Sequence, residues 1–174
     1  MPTFLTDSIT AAKPATMQAI VFDDFGGPEV LVAREQPAPE LRPHDLLVRN
    51  ASIGVNRADL YHRKGAYGRA SFGDADTMGL EIAGTVIAAG PLVQGFSVGD
   101  RVMGMPSGGY AEQVVIHQRL AVRMPAALSF VQAAALPGDI GVLGRFDQGH
   151  DVLQQRAPVC RHAGGAHLAQ RCDK

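Results

Sequence analysis

The chain has 174 residues, with 16 Lys and Arg against 17 Asp and Glu, and a formal net charge of −1. A charge this close to zero gives no electrostatic reason to bind nucleic acid or an anionic membrane surface. No apolar run approaches the ~20 residues that a membrane-spanning helix needs. The hydrophobic content of 46% is typical of a globular protein. We therefore expect a soluble, cytoplasmic protein without nucleic-acid or membrane partners.

The two ends of the chain differ from its middle. Residues 1–16 lack both the apolar core of a secretory signal and the arginines of a transit peptide, and we interpret them as a flexible leader. Both cysteines, Cys160 and Cys172, lie near the C-terminus, so no disulfide framework supports the region that begins at Met17. This distribution fits a reducing compartment.

From Met17 to residue 125, short apolar or alternating runs are separated by Gly, Pro, Asn and Asp, which is the pattern of a β-rich domain. The predicted strands lie at residues 18–22, 30–33, 46–53, 81–89, 100–103 and 111–116. Gly84 falls inside one of them, where a β-bulge or a close backbone approach is expected. Several short strands at close spacing favour a barrel or a sandwich rather than a doubly wound domain.

Two short helices accompany these strands. Residues 57–63 form a predicted helical turn after Asn56, and residues 129–136 form a second helix with Ser129 as its N-cap and Pro137 as its stop. Asp59 and Arg63 lie four residues apart on the first turn, so we expect a local ion pair between them.

Four segments carry a resemblance to a known family. They are MQAIVFDDFGGPEVL at residues 17–31, VNRADLYHRKGAY at 55–67, MGLEIAGTVIAAGPLVQGFSVGDRVMGM at 78–105 and GGYAEQVVIHQRLAVRMPAALSFVQAAALP at 108–137. In this order and spacing they resemble the medium-chain dehydrogenase/reductase superfamily. Within it they are similar to the zinc-free quinone oxidoreductases related to zeta-crystallin and to the p53-inducible quinone reductase. The resemblance implies a mainly β, GroES-like barrel of the alcohol dehydrogenase N-terminal type, with short helices, over residues 17–137.

In that family a nicotinamide lies between the barrel and a Rossmann domain. The resemblance implies that Asn56, Tyr61 and Tyr67 lie on the cofactor or substrate side and bind NADPH. An amide offers both donors and an acceptor, and a tyrosine offers an aromatic wall with one polar tip. Two plainer interpretations stay open, namely that Asn56 is an N-cap and that the tyrosines only pack against a loop.

The pattern differs from zinc-dependent relatives at the positions of their metal ligands. Asn56 matches their first cysteine ligand, and Leu80 replaces the histidine of their Gly-His-Glu motif. A zinc alcohol dehydrogenase needs nitrogen or sulfur ligands for the metal that polarises its substrate oxygen, so no metal is expected, and hydride transfer to a quinone or an activated enone is implied instead. No side chain is assigned as catalytic. We expect Glu81 to be a structural carboxylate that pairs with backbone or an arginine.

Residues 138–174 lack sustained apolar periodicity and a dinucleotide-binding fingerprint on a strand and helix, so the Rossmann domain is expected to be absent or truncated. We interpret this irregular tail as a frameshifted, truncated or alternatively spliced product. A metal site is a second interpretation, because Cys160, His162, His167 and Cys172 are ligand types, but their spacing matches no zinc pattern. A flexible polar tail is the third.

Two functions follow from the sequence. The first is an NADPH-dependent quinone oxidoreductase, with a small quinone or enone as substrate. The second is a noncatalytic GroES-like module that acts through the apolar face which a Rossmann domain would cover, and such a face favours a homo-oligomer.

Overall fold

The computed structural model describes residues 16–67 and 77–138, and it is mainly β. Within those ranges seven strands form two antiparallel sheets. The first sheet is a hairpin of β1 (Thr16–Val21) and β2 (Val32–Pro37). The second sheet has the order β6-β3-β4-β5-β7. Its strands are β3 (Asp45–Gly54), β4 (Glu81–Ala89), β5 (Arg101–Gly104), β6 (Gln113–His117) and β7 (Ala121–Arg123).

Two short α-helices and two 3-10 turns lie entirely within the described ranges. The helices are α1 (Arg57–Arg63) and α2 (Phe130–Ala133), and the turns are Pro28–Val30 and Gln118–Leu120. No helix in this part of the chain is long and apolar enough to cross a membrane.

The central pair of strands, β3 and β4, carries the irregularity expected at Gly84. Asn50 pairs with Gly84 and Ser52 pairs with Ala83, so Ala51 is the extra residue of a bulge. A Cβ at Gly84 would lie 2.2 Å from the carbonyl oxygen of Arg49. Only glycine therefore allows the two backbones to approach so closely, and both expectations for this position are confirmed.

Strand β4 is covered by apolar side chains on both faces. One core cluster joins strands of the large sheet and consists of Leu46, Val48, Ile82, Val86, Val102, Val114, Ile116 and Ala121. A second cluster joins β4 and β5 to α2 and consists of Ala83, Met103, Met124, Ala133 and Ala134. This double burial explains why the sequence of β4 is a nearly continuous apolar run after Glu81.

Helix α2 is fastened to the sheet by Arg101. Its guanidinium donates to the carbonyl oxygen of Leu128 at 2.6 Å and lies 4.7 Å from the centre of the Phe130 ring. Ser129 caps the helix by accepting from the backbone N–H of Gln132, as predicted. The chain that follows α2 is thereby directed back toward the start of β4.

Most predicted elements are present, with differences at their ends. Strand β2 begins at Val32, after a 3-10 turn occupies part of the predicted strand, and the second helix covers only Phe130–Ala133. Strand β7 was not predicted, because three residues are too few to show an alternating pattern. The predicted leader and tail lie outside the described residues, apart from Thr16, which begins β1, and Gly138.

We expect Gly84→Ala to lower the free energy of unfolding by about 3 kcal/mol, because the new methyl group would overlap backbone atoms that cannot rotate away. The control is Gly99→Ala, at a φ of +94° with open space around the Cβ position. It should lose only the strain of a left-handed conformation, about 1 kcal/mol. Urea unfolding measures both, and equal losses would contradict the close approach at Gly84.

Candidate functional site

The end of β3 and the start of β4 place Asn56 beside Glu81. Gly54, the last residue of β3, pairs with Glu81, the first residue of β4. Two residues later, the side-chain N–H of Asn56 donates to Oε2 of Glu81 at 2.7 Å. A Cβ at Gly54 would lie 2.4 Å from the same carboxylate oxygen, so glycine leaves the space that the carboxylate fills.

The carboxylate of Glu81 is buried, with 3% of the residue exposed, and both of its oxygens accept hydrogen bonds. Oε2 accepts from Asn56, and Oε1 accepts from the backbone N–H of Gly138. The expectation that Glu81 pairs with backbone is confirmed. Its structural task is to hold the amide of Asn56 and the chain after α2 in one arrangement.

Asn56 is also the N-cap of α1, as its plainer interpretation proposed. Its backbone N–H donates to Oδ2 of Asp59 at 2.7 Å, which is one half of a capping box. The cap fixes the backbone of Asn56 while Glu81 fixes its side chain. The two roles therefore coexist in one half-buried residue.

The predicted ion pair between Asp59 and Arg63 is wrong. Both residues are buried, at 2% and 7% exposure, but the same Oδ2 of Asp59 that caps α1 accepts from the hydroxyl of Tyr110 at 3.0 Å. The carboxylate thus takes its hydrogen bonds from the first turn of α1 and from across the fold. Four-residue spacing predicts an ion pair on an exposed helix face, but both residues are buried and the carboxylate of Asp59 takes its donors from Asn56 and Tyr110.

Tyr110 is the residue of this cluster that the sequence analysis missed. Its backbone N–H donates to the carbonyl oxygen of Met78 at 2.7 Å, and its carbonyl oxygen accepts from Ile20 at 2.8 Å. Gly79 has a φ of +103°, and a Cβ there would lie 2.2 Å from the Tyr110 ring. The sequence held one signal for Tyr110, namely that the motifs Gly79-Leu80-Glu81 and Gly109-Tyr110 both occur in it. The glycine of the first motif makes room for the tyrosine of the second.

The local environment shifts the pKa values of two side chains near Asp59, namely Tyr110 and His62. Burial raises the pKa of the Tyr110 hydroxyl, and the charge of Asp59 and the hydrogen bond to it raise that pKa further. The hydroxyl therefore remains a donor at neutral pH. Burial lowers the pKa of His62, against the opposing effect of Asp59, and the imidazole packs edge-on against Phe22 with ring centres 5.3 Å apart.

The two predicted tyrosines lie together at the surface. Tyr61 on α1 and Tyr67 in the following turn have ring centres 6.4 Å apart in an edge-to-face arrangement, and they are 44% and 41% exposed. Val55 and Leu60 add exposed apolar surface, at 75% and 50%. The structure thus brings the tyrosines to each other and Asn56 to Glu81. Cofactor binding by these three residues stays a prediction.

A shallow groove lies along β6 and the loop that precedes β3. Its lining includes His44 and His117 but none of the three residues predicted to bind a cofactor. We therefore place the candidate site at the start of α1 and not in this groove.

We expect Glu81→Gln to lower the free energy of unfolding by about 2 kcal/mol. The new amide N–H₂ would face either the side-chain N–H of Asn56 or the backbone N–H of Gly138, and that donor would stay buried without an acceptor. The control is Glu35→Gln on the exposed strand β2, where the same change should cost almost nothing. Urea unfolding compares the two, and equal losses would show that Glu81 does not hold these bonds.

Residues 42–126 match the family described as the alcohol dehydrogenase GroES-like domain. The chain is 41% identical over 119 residues to a quinone oxidoreductase of Pseudomonas aeruginosa, an alignment that covers 67% of the chain and 36% of the relative. It is 37% identical over 123 residues to the human quinone oxidoreductase, covering 69% of the chain and 37% of the relative. The chain therefore spans little more than a third of the length of these relatives.

Solved structures agree with these matches. A quinone oxidoreductase of Pseudomonas syringae superposes with a TM-score of 0.65 at 36% identity, covering 76% of this chain and 42% of that one. A mycobacterial protein in complex with NADPH superposes with a TM-score of 0.62 at 39% identity, covering 69% and 36%. The chain belongs to the medium-chain dehydrogenase/reductase superfamily and carries its alcohol dehydrogenase GroES-like domain.

Proposed function

We propose that this chain supplies the nicotinamide and substrate side of an NADPH-dependent quinone oxidoreductase, which transfers hydride to a quinone or an activated enone without a metal. The observation that carries the proposal is the amide of Asn56, held by the buried carboxylate of Glu81. The relatives are quinone oxidoreductases and the mycobacterial protein binds NADPH, and both facts support the proposal.

The bond to Glu81 gives Asn56 a fixed direction for recognition. A primary amide carries two N–H donors and one oxygen, and the bond commits one of those donors. Because the backbone of Asn56 is fixed by Asp59 as well, the remaining polar groups of the amide are oriented before any ligand arrives. Such preorganisation reduces the entropy that binding a nicotinamide carboxamide would cost.

The tyrosine pair suits a flat ligand. The two half-exposed rings lie 6.4 Å apart and perpendicular to each other, so they form a corner with polar tips, and a nicotinamide or quinone ring can pack against one ring face. When bound, NADPH would supply the hydride, while Asn56 and the tyrosines would orient the rings and exclude water. The described residues fit the nicotinamide end of the cofactor, and they include no glycine-rich turn between a strand and a helix for its phosphates.

The side chains around Asn56 favour chemistry without zinc. An amide stands at position 56, and Leu80, which is 8% exposed, carries no lone pair for a metal. Catalytic zinc is held by nitrogen, sulfur or carboxylate ligands around an open position. A quinone is electrophilic enough to accept hydride without such polarisation, so no residue of this chain needs to act as a nucleophile or strong base.

We expect NADPH to raise the unfolding temperature of the 174-residue chain by about 3 °C at concentrations well above its dissociation constant, because a ligand that binds only the native state stabilises it. Asn56→Ser should weaken this binding about tenfold, since serine retains the N-cap but lacks the amide. Glu35→Gln on the exposed strand β2 is the control.

Differential scanning fluorimetry with NADPH titrations measures these shifts. An unchanged unfolding temperature in the wild-type chain would count against cofactor binding. It would favour a noncatalytic module, for which the exposed side chains of Ile53, Val55, Leu60 and Val131, at 41%, 75%, 50% and 73%, offer an apolar contact surface.

The hydride transfer step is tested in a graft. We expect the Pseudomonas aeruginosa relative to keep quinone-dependent NADPH oxidation when its aligned segment of 119 residues is replaced by that of this chain. Activity should withstand a zinc chelator, and Asn56→Ser in the graft should lower it about tenfold. A folded graft that binds NADPH but reduces no quinone would refute the proposed activity.

A further inference from the structure

We propose that Tyr110 is a positioning residue whose hydroxyl, acting through Asp59, fixes Asn56 for a nicotinamide carboxamide. The inference rests on the proposed function, since it assigns Asn56 a ligand. It adds a residue that is not among the three site residues implied by the resemblance.

One carboxylate oxygen links Tyr110 to Asn56. Oδ2 of Asp59 accepts from the Tyr110 hydroxyl at 3.0 Å and from the backbone N–H of Asn56 at 2.7 Å. The other oxygen, Oδ1, is buried and has no hydrogen-bond partner. The orientation of this carboxylate therefore depends on the two donors at Oδ2, and loss of the hydroxyl would leave the Asn56 N–H as the single donor.

The backbone and ring of Tyr110 are fixed by their own contacts, so its hydroxyl has a defined position relative to Asp59. Its backbone is bonded to Ile20 on one side and to Met78 on the other, and its ring lies against the Cα of Gly79. Gly79 precedes Leu80 and Glu81, so the ring packs on the segment that leads to the second holder of Asn56. Tyr110 thereby contacts both parts of the fold that hold Asn56. Its hydroxyl bonds to Asp59, which fixes the backbone of Asn56, and its ring packs on the segment that leads to Glu81, which fixes the side chain.

The competing explanation is that the hydroxyl only satisfies a buried carboxylate. In that case its removal would lower global stability and leave the geometry of Asn56 unchanged. A measurement of stability alone does not separate the two explanations, so the test must observe Asn56 directly.

The test uses the 174-residue chain labelled with ¹⁵N. Tyr110→Phe removes one oxygen and keeps the ring against Gly79. We expect the backbone N–H of Asn56 to exchange with solvent about tenfold faster in this variant, and its side-chain amide resonance to shift. We also expect NADPH, titrated while resonances of residues 55–67 are followed, to bind about tenfold more weakly than to the wild-type chain.

A matched control separates positioning from general destabilisation. Asp100 accepts from the backbone N–H of Ser97 and pairs with Arg123 at 2.9 Å, in the loop before β5. Asp100→Asn weakens these bonds at the opposite end of β4 from Glu81, where Val86 bonds to Asp100. We expect it to lower the unfolding midpoint while Asn56 exchange and NADPH binding remain within about twofold of wild type.

A second variant keeps the inference testable if Tyr110→Phe folds poorly. Asp59→Asn retains a carbonyl oxygen that can accept from both donors, whereas Asp59→Ala removes it. Asp59→Ala should reproduce the Asn56 exchange and NADPH defects of Tyr110→Phe, and Asp59→Asn should restore most of both. The combined Tyr110→Phe and Asp59→Ala changes should be no worse than Asp59→Ala alone, because both act through one oxygen.

The outcomes distinguish this inference from the proposed function. If NADPH perturbs the wild-type chain and Tyr110→Phe binds it equally well with unchanged Asn56 exchange, the positioning role is refuted and the proposed function stands. If NADPH leaves residues 55–67 of the wild-type chain unperturbed, the proposed function fails, and the positioning role fails with it for want of a ligand.

Discussion

Two buried carboxylates, those of Asp59 and Glu81, contact Asn56, with 2% and 3% of each residue exposed. A carboxylate removed from water is stable only when hydrogen-bond donors replace its lost hydration. Here the donors come from Asn56 itself, the hydroxyl of Tyr110 and the backbone N–H of Gly138. Satisfying the two charges therefore requires α1, the start of β4, and the chain after α2 to adopt one relative arrangement.

Glycine provides the space that this arrangement needs. The Cβ positions of Gly54 and Gly138 would each lie 2.4 Å from an oxygen of Glu81, and that of Gly79 would lie 2.2 Å from an atom of the Tyr110 ring. These glycines are therefore required by close packing, and Gly79 is required by its positive φ as well. The same principle operates at Gly84, where the neighbour is a backbone carbonyl instead of a side chain.

Much of the fold was predictable from the sequence because alternating apolar runs and turn residues report local structure directly. The strand at Glu81–Ala89 and the helix at Arg57–Arg63 have the predicted bounds, and Asn56 is the N-cap that its residue type indicates. The site was less predictable. The bond from Tyr110 to Asp59 joins residues 51 positions apart, and no local pattern indicates that Asp59 accepts from Tyr110 rather than pairing with Arg63.

The long sequence separation of these bonds has a consequence for folding kinetics. Asn56 and Glu81 are 25 residues apart, Asp59 and Tyr110 are 51 apart, and Glu81 and Gly138 are 57 apart. Loop-closure entropy disfavours such contacts until the intervening strands have paired. On the ribosome, the set of hydrogen bonds around Asn56 and Glu81 is thus complete only after residue 138 has emerged. The arrangement around Asn56 is therefore a late event of folding, which follows the pairing of β3 with β4 and the packing of α2 on the sheet.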